Sequence, residues 1–152
     1  MFLIDVEQTI KKNKENLFLK FKNEIIDELK DDFEINEYFD SNMIVNDRSK
    51  DIMISRDDIE ALITCKYRPK AKIRFNDIER TAAISEFYGV QGIVVTNLGY
   101  GKEAIRVAKK HDIILTHKFD IKHKLNFYIE KEVERKELDI LEDIERKEKI
   151  YL

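Results

Sequence analysis

Between positions 51 and 66 the hydrophobic period of the chain switches from helical to extended, and that switch limits the folds open to it. Asp51-Ile-Met-Ile-Ser-Arg56 and Glu60-Ala-Leu-Ile-Thr-Cys-Lys66 are short apolar and β-branched runs with polar ends, joined by Asp57-Asp58. Two such runs around a two-residue turn read as a β-hairpin. Both flanks are helical in pattern. Val6, Ile10, Leu17, Phe21, Ile25 and Leu29 recur at the spacing of a long amphipathic helix. Downstream, Asn76 followed by Glu79 predicts a helix N-cap with its returning glutamate, and Gly89 ends that helix. Gly92-Ile-Val-Val-Thr96 reads as a fully buried strand, Lys102 to His111 as a helix, and Asp112-Ile-Ile-Leu-Thr116 as a further strand. A short strand is expected from Phe33 to Phe39, followed by a loop to position 48.

Helix, hairpin, helix, strand, helix, strand is the order of an α/β fold with a mixed sheet flanked by helices, with long helices at both ends of the chain. At 152 residues the chain suffices for one hydrophobic core. Four Gly and one Pro leave few tight turns, against a small β-sandwich, and 43% hydrophobic residues exclude a disordered chain. We expect a core over residues 1–123. Residues 124–152 form a charged helix whose thin apolar stripe (Ile129, Val133, Ile140, Leu141, Ile144) packs on the core or a partner.

The net charge of −3 excludes a uniformly basic nucleic-acid coat. A local basic run stands out against it. Lys66, Arg68, Lys70, Lys72 and Arg74 alternate with Tyr67, Pro69, Ala71, Ile73 and Phe75, with no acid among them. An extended segment of this kind carries a line of cations over an apolar underside, which suits a phosphate backbone. It equally suits an edge strand protected by Lys and Pro. Strand parity puts Glu60, Leu62, Thr64 and Lys66 on one face, and Ala61, Ile63 and Cys65 on the other, buried one. Cys65 therefore reads as a small hydrophobe; as the lone cysteine it forbids an internal disulfide and fits a reducing cytosol. His111, His117 and His123 are too widely spaced for one-turn metal ligation. No run approaches the roughly 18 apolar residues of a membrane helix, and the start, MFLIDVEQTIKK, lacks the order of a secretory signal. A soluble, cytoplasmic protein is expected.

Asp51-x-x-Ile with Ile63-Thr64-Cys65-Lys66 resembles the active-site hairpin of the PD-(D/E)xK nucleases, in particular the Mrr-like restriction endonuclease domain. Phe87-Tyr88-Gly89, Gly92-Ile-Val-Val-Thr96 and Lys102-Glu-Ala104 are similar to the second half of that domain, and the likeness runs from about residue 20 to about residue 117. The resemblance implies a restriction-endonuclease-like fold and metal-dependent hydrolysis of DNA with Mg²⁺ or Mn²⁺. In it Asp51 is the metal-binding carboxylate and Lys66 the catalytic lysine. Thr64 falls where the family carries Glu or Gln; a threonine is a shorter, neutral ligand that supplies no second carboxylate, and Glu60 on the same face is the candidate to compensate. A first-helix glutamate facing the site maps to Glu24, with Glu28 as second choice; an ordinary solvated helix face explains either one. Arg68, Lys70, Lys72 and Arg74 are the candidate DNA contacts. The turn from Asn97 to Gly101 offers N–H groups to a phosphate, or is a simple turn between strand and helix. Two functions follow: an endonuclease acting through Asp51 and Lys66, with a homodimer suited to cutting two strands, or a degenerate nuclease fold that binds nucleic acid or assembles with partners without cutting.

Overall fold

The computed structural model describes residues 2–36, 51–68 and 70–151. A five-stranded sheet of order β1-β2-β3-β4-β5 is built from β1 (Glu34–Asn36), β2 (Asp51–Arg56), β3 (Ile59–Lys66), β4 (Gln91–Thr96) and β5 (Ile114–His117). The first three strands run antiparallel; β4 and β5 join in parallel through crossover helices α2 (Phe75–Tyr88) and α3 (Lys102–His111). The α/β fold with a mixed sheet is as the sequence predicts. The hairpin turn is Asp57-Asp58, both residues left-handed at φ 55° and 62°, the backbone that matches a two-residue turn to the twist of its strands.

Each face of the sheet carries its own core. The long helices α1 (Phe2–Leu29) and α4 (Ile121–Tyr151) cover one face, where Phe21, Ile25 and Leu29 meet Ile121, Leu125 and Ile129 over Ile52, Ile63 and Val95. Burying each such side chain is worth about 1.5–3 kcal/mol. Only part of each stripe is used: Val6, Ile10 and Leu17 of α1, and Ile140, Leu141 and Ile144 of α4, are exposed. Helix α4 begins at Ile121, so the core takes Leu125 and Ile129 from beyond position 123. The other face carries α2 and α3, with Ile78, Ala82, Ala104 and Val107 packed on Val94. A glycine lets α2 approach. A Cβ on Gly92 would lie 2.7 Å from Ile113 Cδ1 and 2.9 Å from Ser85 Oγ.

Three local expectations need correction. Helix α2 starts at Phe75, not after Asn76, because the Asp77 carboxylate accepts a hydrogen bond from the Arg74 backbone N–H (3.3 Å) and Asp77, not Glu79, closes the first turn. The basic ribbon does not continue as a strand. Lys66 is the last residue of β3 to pair with β4, at Thr96, and Asn97 then takes up both backbone groups of Arg68 through its side chain (2.8 Å each). Lys70, Ala71, Lys72 and Arg74 are all exposed and Ile73 is buried, so the alternating faces are lost. The strand expected from Phe33 to Phe39 is the three-residue β1, which Phe33 precedes; residues 37–39 and the loop to position 48 lie outside the described residues. Among the described residues no helix is long and apolar enough to cross a membrane.

Candidate active site

The strand ladder settles which way the candidate residues face. Asp51 opens β2 directly opposite Thr64, and Lys66 lies two residues further along β3. A period of two then puts all three on one face, the face covered by α2. Cys65 points the other way, fully buried against the α1 side. Burial pushes its thiol up to about 12. Thiolate, not thiol, is the reactive form, so Cys65 should resist a maleimide in the native protein at pH 8 and react once urea unfolds it, as mass spectrometry will read; rapid labelling of folded protein would contradict its placement.

Helix α2 meets each of the three residues with one of its own. The Arg80 guanidinium donates to both oxygens of Asp51 (Nη1 to Oδ1 3.2 Å, Nη2 to Oδ2 2.9 Å). Thr81 donates to the Thr64 hydroxyl at 2.9 Å. Asp77 takes Lys66, whose Nζ is 3.6 Å from Oδ1, and accepts from Arg68 Nη2 at 2.9 Å and 3.1 Å. Spacings of three and four residues place 77, 80 and 81 on one side of a helix. Burial makes the contacts consequential: Asp51 and Arg80 are 2% and 8% exposed and Thr64 is inaccessible. The fork of a guanidinium matches a carboxylate in two parallel bonds, the strongest side-chain geometry for such a pair. None of Asp77, Arg80 or Thr81 was anticipated from the sequence. Their shared helical spacing was visible; the strand residues they meet were not.

The remaining candidates lie elsewhere. Glu24 sits on the α1 side, where Lys118 Nζ donates to its Oε2 at 2.7 Å and holds its carboxyl below the ordinary range. Glu28 is exposed. Glu60 pairs with Ser55 at the far end of the hairpin, four residues and so about 13 Å along β3 from Thr64, which removes it as a substitute carboxylate. In the turn after β4, Gly101 N–H donates to Ile73 O (3.3 Å) and Ile73 N–H to Gly99 O (3.1 Å), so this turn spends its groups on the chain itself.

A divalent ion does not fit the described residues as they stand. Oxygen-ligated divalent ions need several hard donors, carboxylates above all. Asp51 has both oxygens committed to a cation, its cross-strand neighbour is a neutral hydroxyl, and Asp77 is held by Lys66 and Arg68. Among the described residues no three of His, Cys, Asp and Glu come together in a group suited to a metal ion.

The sequence profile of Mrr_cat, a restriction endonuclease family, matches residues 30–125, more than half of the chain. The crystal structure of AF1548, a protein of unknown function, is similar with a TM-score of 0.48 and 24% identity over 64% of this chain; the match spans 56% of that protein. No curated protein matches the chain.

Proposed function

Since the chain belongs to the restriction endonuclease family Mrr_cat, we propose that it binds the phosphodiester backbone of DNA without metal-dependent cutting, a buried guanidinium occupying the carboxylate that would hold the ion. The family is one of nucleases that generally use divalent metals. The observation that carries the proposal is the two-bond contact of Arg80 with Asp51, both side chains buried. Fixed positive charge at that carboxylate neutralises it without supplying an acidified water or an open coordination position. The DNA contacts fall to the cations left in solvent beside the site. Lys70, Lys72 and Arg74 are exposed on the segment that leads from β3 to α2. Arg68 is held at its start by Asn97 and Asp77.

Two measurements test this together. Affinity for a DNA duplex, read by fluorescence anisotropy across salt concentrations, should weaken on Lys70→Glu with Lys72→Glu. The slope of log affinity against log salt should flatten by about 2, one for each phosphate that the variant no longer neutralises. The wild-type protein with Mn²⁺ should leave that duplex intact. Mn²⁺-dependent cutting that disappears in both Asp51→Ala and Lys66→Ala would overturn the proposal.

That outcome would establish the second reading, a Mg²⁺- or Mn²⁺-dependent endonuclease acting through Asp51 and Lys66. Its support is the common face of Asp51, Thr64 and Lys66, together with Asp77, a second carboxylate that α2 brings beside Lys66. It requires Arg80 to leave Asp51.

A further inference from the structure

We propose that a cleft at the carboxyl ends of β3, β4 and β5 is a subsite for one unpaired nucleotide of a DNA strand, its base stacked on Phe119. The inference rests on the DNA-binding reading above but uses different residues on the opposite face of the sheet. The cleft encloses about 460 Å³ between α1 and the residues that follow the three strands, within the range of small-molecule pockets, roughly 300–1,000 Å³.

Its chemistry is that of a nucleotide site. Phe119, in the turn from β5 to α4, is 86% exposed, an unusual setting for so large an apolar ring. Lys118 Nζ stands 4.8 Å from the centre of that ring. Deeper in, Tyr67 packs on Phe21 with ring centres 5.8 Å apart. Lys20 and Lys118 line the cleft against a single acid, Glu24. Rings flanked by cations are how proteins hold unpaired bases: the faces stack, whatever the base, and the ammonium groups take the phosphates. Glu24 holds Lys118 at 2.7 Å, a half-buried pair at the wall of the cleft whose ammonium an arriving phosphate would compete for.

The site is also continuous with the basic segment. Tyr67 is the residue between Lys66 and Arg68, and Asn97, which lines the cleft, bonds both backbone groups of Arg68. The cleft therefore adjoins the start of the basic segment at Arg68.

The chain has no tryptophan, so Phe119→Trp installs a lone fluorophore at the stacking position. Titrated into the full-length variant, oligothymidylate should quench the indole emission, and a blunt duplex of the same length should quench it far less. Phe119→Ala should weaken oligothymidylate binding by about fivefold or more, the loss of one base stack, and leave duplex affinity unchanged. The ring is exposed, so neither variant threatens the fold. Unquenched emission with oligothymidylate, or equal affinity of wild type and Phe119→Ala for it, would overturn the subsite. If duplex binding through Lys70 and Lys72 is absent while oligothymidylate still quenches, the duplex reading falls and the subsite stands; if duplex binding holds without quenching, the subsite alone falls.

Discussion

Arg80→Ala should destabilise the fold by about 3–5 kcal/mol, the cost of leaving a buried charge without its partner. A domain of this kind is stable by only about 5–15 kcal/mol in total, so the variant will stand near the limit of folding at 37 °C. The reason lies in the placement of Asp51, which is 2% exposed and gives both oxygens to the guanidinium. Alanine at position 80 removes two charge-assisted bonds and leaves the carboxylate buried without its counter-charge. The control is chemical. Asp51→Asn in the Arg80→Ala background should recover part of the loss, since a neutral amide is cheaper to bury than an ion. Urea unfolding of the wild type, both single variants and the double variant gives the coupling energy directly. Additive single effects would mean that the pair is incidental and that another packing contact of Arg80 dominates.

Combining Arg80→Ala with Thr64→Glu should convert this corner of the sheet into a site for a divalent ion. Position 64 lies directly across the ladder from Asp51, where two carboxylates without a counter-charge repel and keep the fold weak. An ion that binds only the folded chain restores it by mass action, about 2.7 kcal/mol at a hundredfold excess over its dissociation constant. For a chain of this size that is a rise in Tm of roughly 5–10 °C on adding Mn²⁺. The wild type, with Thr64 bonded to Thr81 and Asp51 bonded to Arg80, should show no such rise. Calorimetry and a thermal scan measure both. A wild-type shift as large as that of the double variant would show that the native site already holds the ion, and would return the protein to the cutting class.

Much of this was legible in the residues. The change from helical to extended period at Asp51, the two-residue turn at Asp57-Asp58 and the stop at Gly89 are local signals, because backbone preference and burial of one face act over a few residues. The same alternation placed Thr64 and Lys66 on one face and Cys65 on the other, as the strand ladder bears out. Local signals misled where a distant residue overrode them. The alternating run after Lys66 has the pattern of a strand, yet among the described residues its continuous ladder stops at Thr96, with one isolated bridge between Ile73 and Tyr100 beyond it, and Asn97, far along the chain, binds Arg68 instead. At the start of α2, the Asp77 carboxylate outcompeted the expected Asn76 cap.

The candidate site divides along the same line. The amino-acid sequence alone determined that Thr64 and Lys66 would share one side of their strand, because alternation in a strand is a property of the backbone; the register of the ladder then put Asp51 opposite Thr64 on that side. Tertiary structure alone decided what faces them. Arg80 meets Asp51 from 29 positions away, and that meeting depends on how α2 crosses the sheet and how closely Gly92 lets it approach. The placement of Glu24 with Lys118, away from the site, is of the same kind. Periodicity says which side of an element is buried. Only packing in three dimensions says against whom, because the energy of a buried charge depends on the partner it finds.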